Sequence, residues 1–154
     1  MNPISQLQLR DYSLVSLHVD ANPNFEEPKD GVSKEQLGVD FDFGKQERAL
    51  VYKIDLRVQC NFTQSAFYRN KYRIKIHLQS FFEFDPSFPE QDVPKMLIPN
   101  GLAMSYSIAR GIVAQATGTS LHGKFVLPTV NFVEIFKEKV AKLKKKKLNS
   151  QATP

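Results

Sequence analysis

The sequence predicts an α+β fold in which four antiparallel strands come first and two helices follow. Three observations carry this. Apolar and polar residues alternate through 4–20, 39–43, 50–62 and 72–84; prolines end that alternation after residue 85; and from residue 102 the apolar spacing changes to three and four. The 154 residues, 42% of them hydrophobic and 24% charged, suit one soluble domain with its own core. We read it as 1–148, with 149–154 as a disordered tail.

The first strand places Leu7, Leu9, Val15, Leu17 and Val19 at odd positions between Gln8, Arg10, Ser16, His18 and Asp20, and the break at Asp11-Tyr12-Ser13 predicts a bulge or a bend. Residues 22–31 are loop by their Pro, Asn and Gly content. Val39, Phe41 and Phe43 alternate with Asp40 and Asp42 in a second strand, which Gly44 closes. The strongest pattern follows. Leu50, Tyr52, Ile54, Leu56, Val58, Cys60 and Phe62 alternate with polar residues, as do Tyr72, Ile74, Ile76, Leu78, Phe82 and Phe84, and the polar link 63–70 makes these runs an antiparallel hairpin. One face is apolar; the other is wet.

Beyond residue 85, Pro86, Pro89 and Pro94 cannot continue a ladder, so a Pro-rich crossover begins there, and its Phe88, Met96, Leu97 and Ile98 need a surface to pack on. Asn100 is the expected N-cap of a helix with Leu102, Tyr106, Ala109, Ile112, Val113 and Ala116 on one stripe, ended by Gly118. Its many small residues suit close packing on more than one side. An apolar linker with Leu121 and Phe125-Val126-Leu127-Pro128 leads to a second helix, capped by Asn131 and striped by Phe132, Ile135, Phe136, Val140 and Leu143.

The net charge of +5 belongs to the end of the chain: residues 137–154 hold seven Lys and one acid, and the rest is close to neutral. A solvated helix end whose lysines complement the helix dipole is the simplest reading. The alternative is an electrostatic foothold for nucleic acid, an acidic client or an anionic membrane surface. The tail has no interleaved aromatics for base stacking, which argues against nucleic acid. The hairpin's wet face, with Lys53, Arg57, Lys71, Arg73 and Lys75, is the better site for a basic nucleic-acid-binding module.

Catalysis finds little support. His18, His77 and His122 lie in unrelated segments, Cys60 is on the apolar face of a strand, and neither a phosphate loop nor metal-ligand spacing occurs. A non-enzyme without cofactor or metal is expected. One Cys, no secretory leader pattern and no stretch long enough to span a membrane point to a cytoplasmic protein.

Two segments add a resemblance. Ala103-Met-Ser-Tyr-Ser-Ile-Ala-Arg110 and Leu127-Pro-Thr-Val-Asn-Phe132 resemble the Tyr-Ala-Arg helix and the Pro-Val-Asn-Phe turn of the bacterial protein-export chaperone SecB and its SecB-like relatives. Leu7-Gln8-Leu9, Val19 to Pro23 and the Val39-x-Phe41-x-Phe43 alternation are similar to that family's first two strands. The resemblance spans about residues 4–136. It implies an ATP-independent holdase that binds unfolded preproteins in apolar grooves as a homotetramer, a dimer of dimers.

Carried onto matching positions, the resemblance implies a client groove of Val39, Phe41, Phe43, Leu121, Phe125, Val126, Phe132 and Phe136. It also implies an oligomer interface on the first long helix at Leu102, Tyr106, Ala109, Ile112 and Val113. From the residues alone, Phe41, Phe43, Phe132 and Phe136 are read as core. Export-type members dock the SecA motor through a Cys/His zinc tail and acidic residues on the outer sheet face. Here the tail lacks Cys and His, the outer face is basic, and Asp20 keeps one acidic position, so the expected SecA contacts are incomplete. A second role in the family, chaperoning the antitoxin of a toxin–antitoxin system, is the alternative.

Overall fold

Leu56 lies opposite Leu78, and that pairing fixes the centre of the molecule. In the computed structural model, which describes residues 2–32, 34–46 and 50–152, β3 (Val51–Cys60) pairs antiparallel with β4 (Tyr72–Phe84). β1 (Leu7–Ala21) flanks β4 and β2 (Leu37–Lys45) flanks β3, giving a four-stranded antiparallel sheet in the order β1-β4-β3-β2. The alternation expected for β3 and β4 holds: Ile54, Leu56, Val58, Ile74, Ile76, Leu78, Phe82 and Phe84 are buried on one face. Ser80, the one polar residue in that row, is buried too, and accepts a hydrogen bond from Ser105 Oγ at 3.0 Å. A buried hydroxyl left unpaired is destabilising, so this pair keeps the row intact.

β1 departs from simple alternation twice. Its register against β4 shifts between Leu9 and Asp11 and again between Leu14 and Ser16. Each shift inserts a residue, so the side facing the core changes from odd positions to Tyr12 and Leu14, then returns to Leu17 and Val19. The single irregularity expected near residue 12 is therefore a pair of bulges. A second break in parity occurs at Asn61, whose φ of 55° is left-handed. The chain turns there and lays Phe62 against Gly38 on the outer face, where a Cβ on Gly38 would stand 3.3 Å from the Phe62 ring.

The link 63–70 contains a helical turn, α1 (Gln64–Arg69), capped by the Thr63 hydroxyl accepting from Ala66 N. The crossover is also largely helical: a 3-10 turn at Glu90–Asp92, α2 (Val93–Met96) and a π-turn at Leu97–Gly101 run straight into α3 (Leu102–Thr117). Asn100 therefore does not cap α3, contrary to the sequence expectation. It sits within the continuous helical run, and its side-chain amide donates to Met96 O. The packing expected of the crossover is present, with Leu97 and Ile98 buried and Phe88 stacked on Phe84 at 4.8 Å.

Leu102, Ser105, Tyr106, Ala109, Val113 and Thr117 turn inward along α3 and seat it over β3 and β4. Burial of each large side chain in this stripe contributes roughly 1.5–3 kcal/mol. β1 is left outside this cover, so Tyr12 and Leu14 remain exposed on the helix side of the sheet. The last helix, α4 (Phe132–Gln151), continues three residues into the segment expected to be a frayed tail; Thr153 and Pro154 of that tail lie outside the described residues.

Candidate functional site

The two sequence segments that carried the resemblance meet in space. Tyr106 donates its hydroxyl proton to Pro128 O, Arg110 Nε donates to Leu127 O at 3.0 Å, and the Phe132 ring stands edge-on to Tyr106 at 5.3 Å. Farther along the linker, Phe125 N donates to the buried Thr117 hydroxyl at 2.8 Å. Tyr72 completes the anchoring, donating to Gly123 O at 2.7 Å and accepting from His122 N at 2.9 Å. The loop after α3 is thus pinned by polar groups of α3 and β4, and these contacts aim α4 along the sheet edge.

α4 then runs beside β2, the edge strand. Between them lies a groove of about 340 Å³ lined by Leu37, Val39, Phe41, Ile135, Lys139 and Lys142, among others. Ion pairs bridge it. Lys139 Nζ donates to Asp40 Oδ1 at 3.3 Å and Asp42 Oδ1 at 3.4 Å, while Arg57 holds the other oxygens of both carboxylates. Burial pushes the Asp40 carboxyl up, but the charge and hydrogen bond of Lys139, the Phe41 N–H and Arg57 outweigh it and hold the group below its ordinary 3.8. For Asp42 the hydrogen bond from Arg57 is the largest influence, and its pKa is lowered as well.

The eight residues expected to line a client groove fall into three settings. Val39 and Phe41 line the groove, with Phe41 only 1% exposed beneath α4. Phe125, Phe132 and Phe136 are half-buried and pack against the core, Phe125 edge-on to Tyr72 at 5.9 Å. Phe43 at 48%, Leu121 at 67% and Val126 at 48% are exposed. Phe41 is buried, as the core reading expects, and its cover on the groove side is α4. Leu37, Ile135, Lys139 and Lys142 were missed as lining residues. The signal was present in α4, where Ile135, Glu138, Lys139 and Lys142 share one face at helical spacing.

The positions expected at an oligomer interface separate differently. Leu102, Tyr106, Ala109 and Val113 pack on the protomer's own sheet, and Ile112 is half-buried on the flank. The face of α3 that stays open carries Ala103, Ser107 and Gly111. Asp20 lies on the outer face, where Arg73 binds its carboxylate at 3.3 Å. The basic residues of that face are mostly matched in the same way: Arg10 by Glu83, Lys53 by Asp55, Arg57 by Asp40 and Asp42. Burial and the neighbouring Glu35 carboxylate push the Cys60 thiol up to about 12, which leaves no thiolate for chemistry at neutral pH. Among the described residues no His, Cys, Asp and Glu groups converge to hold a metal, and no helix is long and apolar enough to cross a membrane.

In fold the chain is similar to the Mycobacterium tuberculosis Rv1957 SecB-like chaperone, solved in complex with a ChAD peptide from the Rv1956 HigA1 antitoxin. The identity is 13%, the match covers 82% of this chain and 91% of that one, and the TM-score is 0.61. A protein of unknown function from Streptococcus agalactiae matches at 19% identity over 80% of this chain and 97% of that one, with a TM-score of 0.43. No family model matches the sequence, and no curated protein is significantly similar to it. The four-stranded antiparallel sheet with its crossover and two long helices is thus the SecB-like α+β fold.

Proposed function

We propose that this protein is an ATP-independent, non-enzymatic holdase that binds non-native polypeptide segments in the groove between β2 and α4. One observation carries the reading: a groove at the sheet edge with Leu37, Val39, Phe41 and Ile135 in its lining is bridged by ion pairs from Lys139 to Asp40 and Asp42, with exposed Phe43, Leu121 and Val126 available as further contacts. Ion pairs of this kind contribute about 0–1 kcal/mol each, so they hold α4 to β2 weakly, and a client that displaces α4 must also replace the apolar cover it gives Phe41. Each large client side chain then buried contributes roughly 1.5–3 kcal/mol before ordering costs. Among the described residues no strand lies beyond β2, so an extended client can also add main-chain hydrogen bonds along that edge.

Two client classes fit this site. A dedicated antitoxin client is favoured by the fold neighbour, which was solved with an antitoxin peptide. Delivery of preproteins to SecA has less support, because Asp20, the acidic position matched on the outer face, is engaged by Arg73. A nucleic-acid-binding sheet face is disfavoured by the carboxylates that already match its cations. The reading includes a cytoplasmic homotetramer, its assembly supported by uncovered Tyr12 and Leu14 on β1 and by the open small-residue face of α3.

Light scattering tests the activity. Added without nucleotide at a stoichiometric amount, the protein is expected to suppress aggregation of a chemically unfolded, aggregation-prone client. Undiminished scattering rules the holdase reading out, and a clean monomer on size exclusion at micromolar concentration removes the tetramer from it.

A further inference from the structure

Every residue of α4 from Ala141 to Gln151 is exposed, and this half of the helix carries Lys142, Lys144, Lys145, Lys146 and Lys147. Lys142 itself lines the groove. At 1.5 Å per residue, Lys147 lies about 7.5 Å farther along the axis, within a Debye length of about 8–10 Å at moderate salt. Asp40 in the lining and Asp42 next to it do not offset this charge, because both are bound by Arg57 and Lys139. Glu138 is the remaining carboxylate in the lining. The groove therefore opens at one end onto a concentrated positive field. The helix carries no aromatic side chain beyond Phe136 to stack a base, so a peptide suits this end better than a nucleic acid.

We propose that the preferred client segment is an apolar stretch flanked by acidic residues, its side chains in the β2–α4 groove and its carboxylates against Lys142 and Lys144 to Lys147. The proposal rests on the groove being the client site. Charge complementarity of this kind acts on selection and on the rate of encounter more than on burial.

The test uses the full chain and two labelled synthetic peptides with one apolar core, flanked by glutamates in one and by lysines in the other. Binding followed by fluorescence anisotropy at low salt is expected to favour the glutamate-flanked peptide about tenfold, with the two converging near ~1 M salt, where the Debye length is about 3 Å. Replacing Lys144, Lys145, Lys146 and Lys147 with Gln, which has similar helix propensity, should abolish the preference and leave binding of the shared core. Equal binding of both peptides, with aggregation suppression intact, overturns the charge selection and spares the groove. Failure of both peptides together with failure to suppress aggregation overturns the groove and this proposal with it. Binding of a DNA or RNA oligonucleotide more tightly than the glutamate-flanked peptide, with a steep salt slope lost in the Gln variant, overturns it in favour of a nucleic-acid partner.

Discussion

Lys139 Nζ stands 4.4 Å above the centroid of the Phe41 ring while donating to Asp40 and Asp42. One ammonium thus caps the aromatic floor of the groove and ties α4 to β2. If this contact is a latch, Lys139→Ala should cost only about 1–2 kcal/mol, since its carboxylate partners are exposed and the contact with the Phe41 ring adds about 0.5–1 kcal/mol. The same variant should bind a client peptide several-fold faster. Thermal unfolding and stopped-flow fluorescence read the two effects, and an unchanged association rate would remove the latch.

The two aromatics of β2 should respond in opposite ways. Phe41 is buried, so Phe41→Ala is expected to cost about 3 kcal/mol, as large-to-small core changes do. Phe43 is exposed, so Phe43→Ser should stay within about 0.5 kcal/mol of the parent and still weaken client capture. Urea unfolding paired with client titration separates these; a Phe43→Ser variant with parental capture would exclude that position from the site.

The depressed pKa values of Asp40 and Asp42 have a defined pH signature. A carboxyl whose folded pKa lies below its unfolded value, near 3.9, contributes stability that is fully present above that value and lost as the pH falls through the folded pKa. Acidification below about pH 4 should therefore loosen α4 from β2. Asp40→Asn/Asp42→Asn should flatten this part of the urea-midpoint profile; parallel acid limbs in parent and variant would show that the pair adds nothing to it.

Tyr72→Phe tests the anchoring of the linker. It leaves Gly123 O and His122 N without their hydroxyl partner, an expected cost of about 1–3 kcal/mol. The loop bearing Leu121, Phe125 and Val126 should then be cleaved faster by a nonspecific protease, and parental cleavage would show that other contacts suffice.

How much of this was legible in the sequence depends on the reach of each interaction. β3 and β4 follow the period of two because one face is buried along their whole length, and the core rows could be named residue by residue. β1 could not be read that way, since two bulges reverse its parity and the partner strand that fixes them lies some sixty to seventy residues away. Asn100 has the chemistry of a cap, yet the buried Leu97 and Ile98 draw the preceding turn into helix and take that role away. The interface expected on α3 followed the correct apolar stripe, but the sheet takes that stripe first. The groove was half visible: Val39 and Phe41 came from alternation and resemblance, whereas Lys139 meets Asp40 across 99 residues and no local pattern announces it.

Hydrogen exchange with and without a bound client tests the central claim most directly. Saturation with an unfolded, aggregation-prone client should slow exchange in β2 from Leu37 to Phe43, in the linker 121–127 and in α4 from Phe132 to Lys142, leaving the outward-facing residues of β1 and β4 unchanged. Suppressed aggregation with protection confined to the outer sheet face, or with none along β2 and α4, would contradict the groove as the place where clients are held.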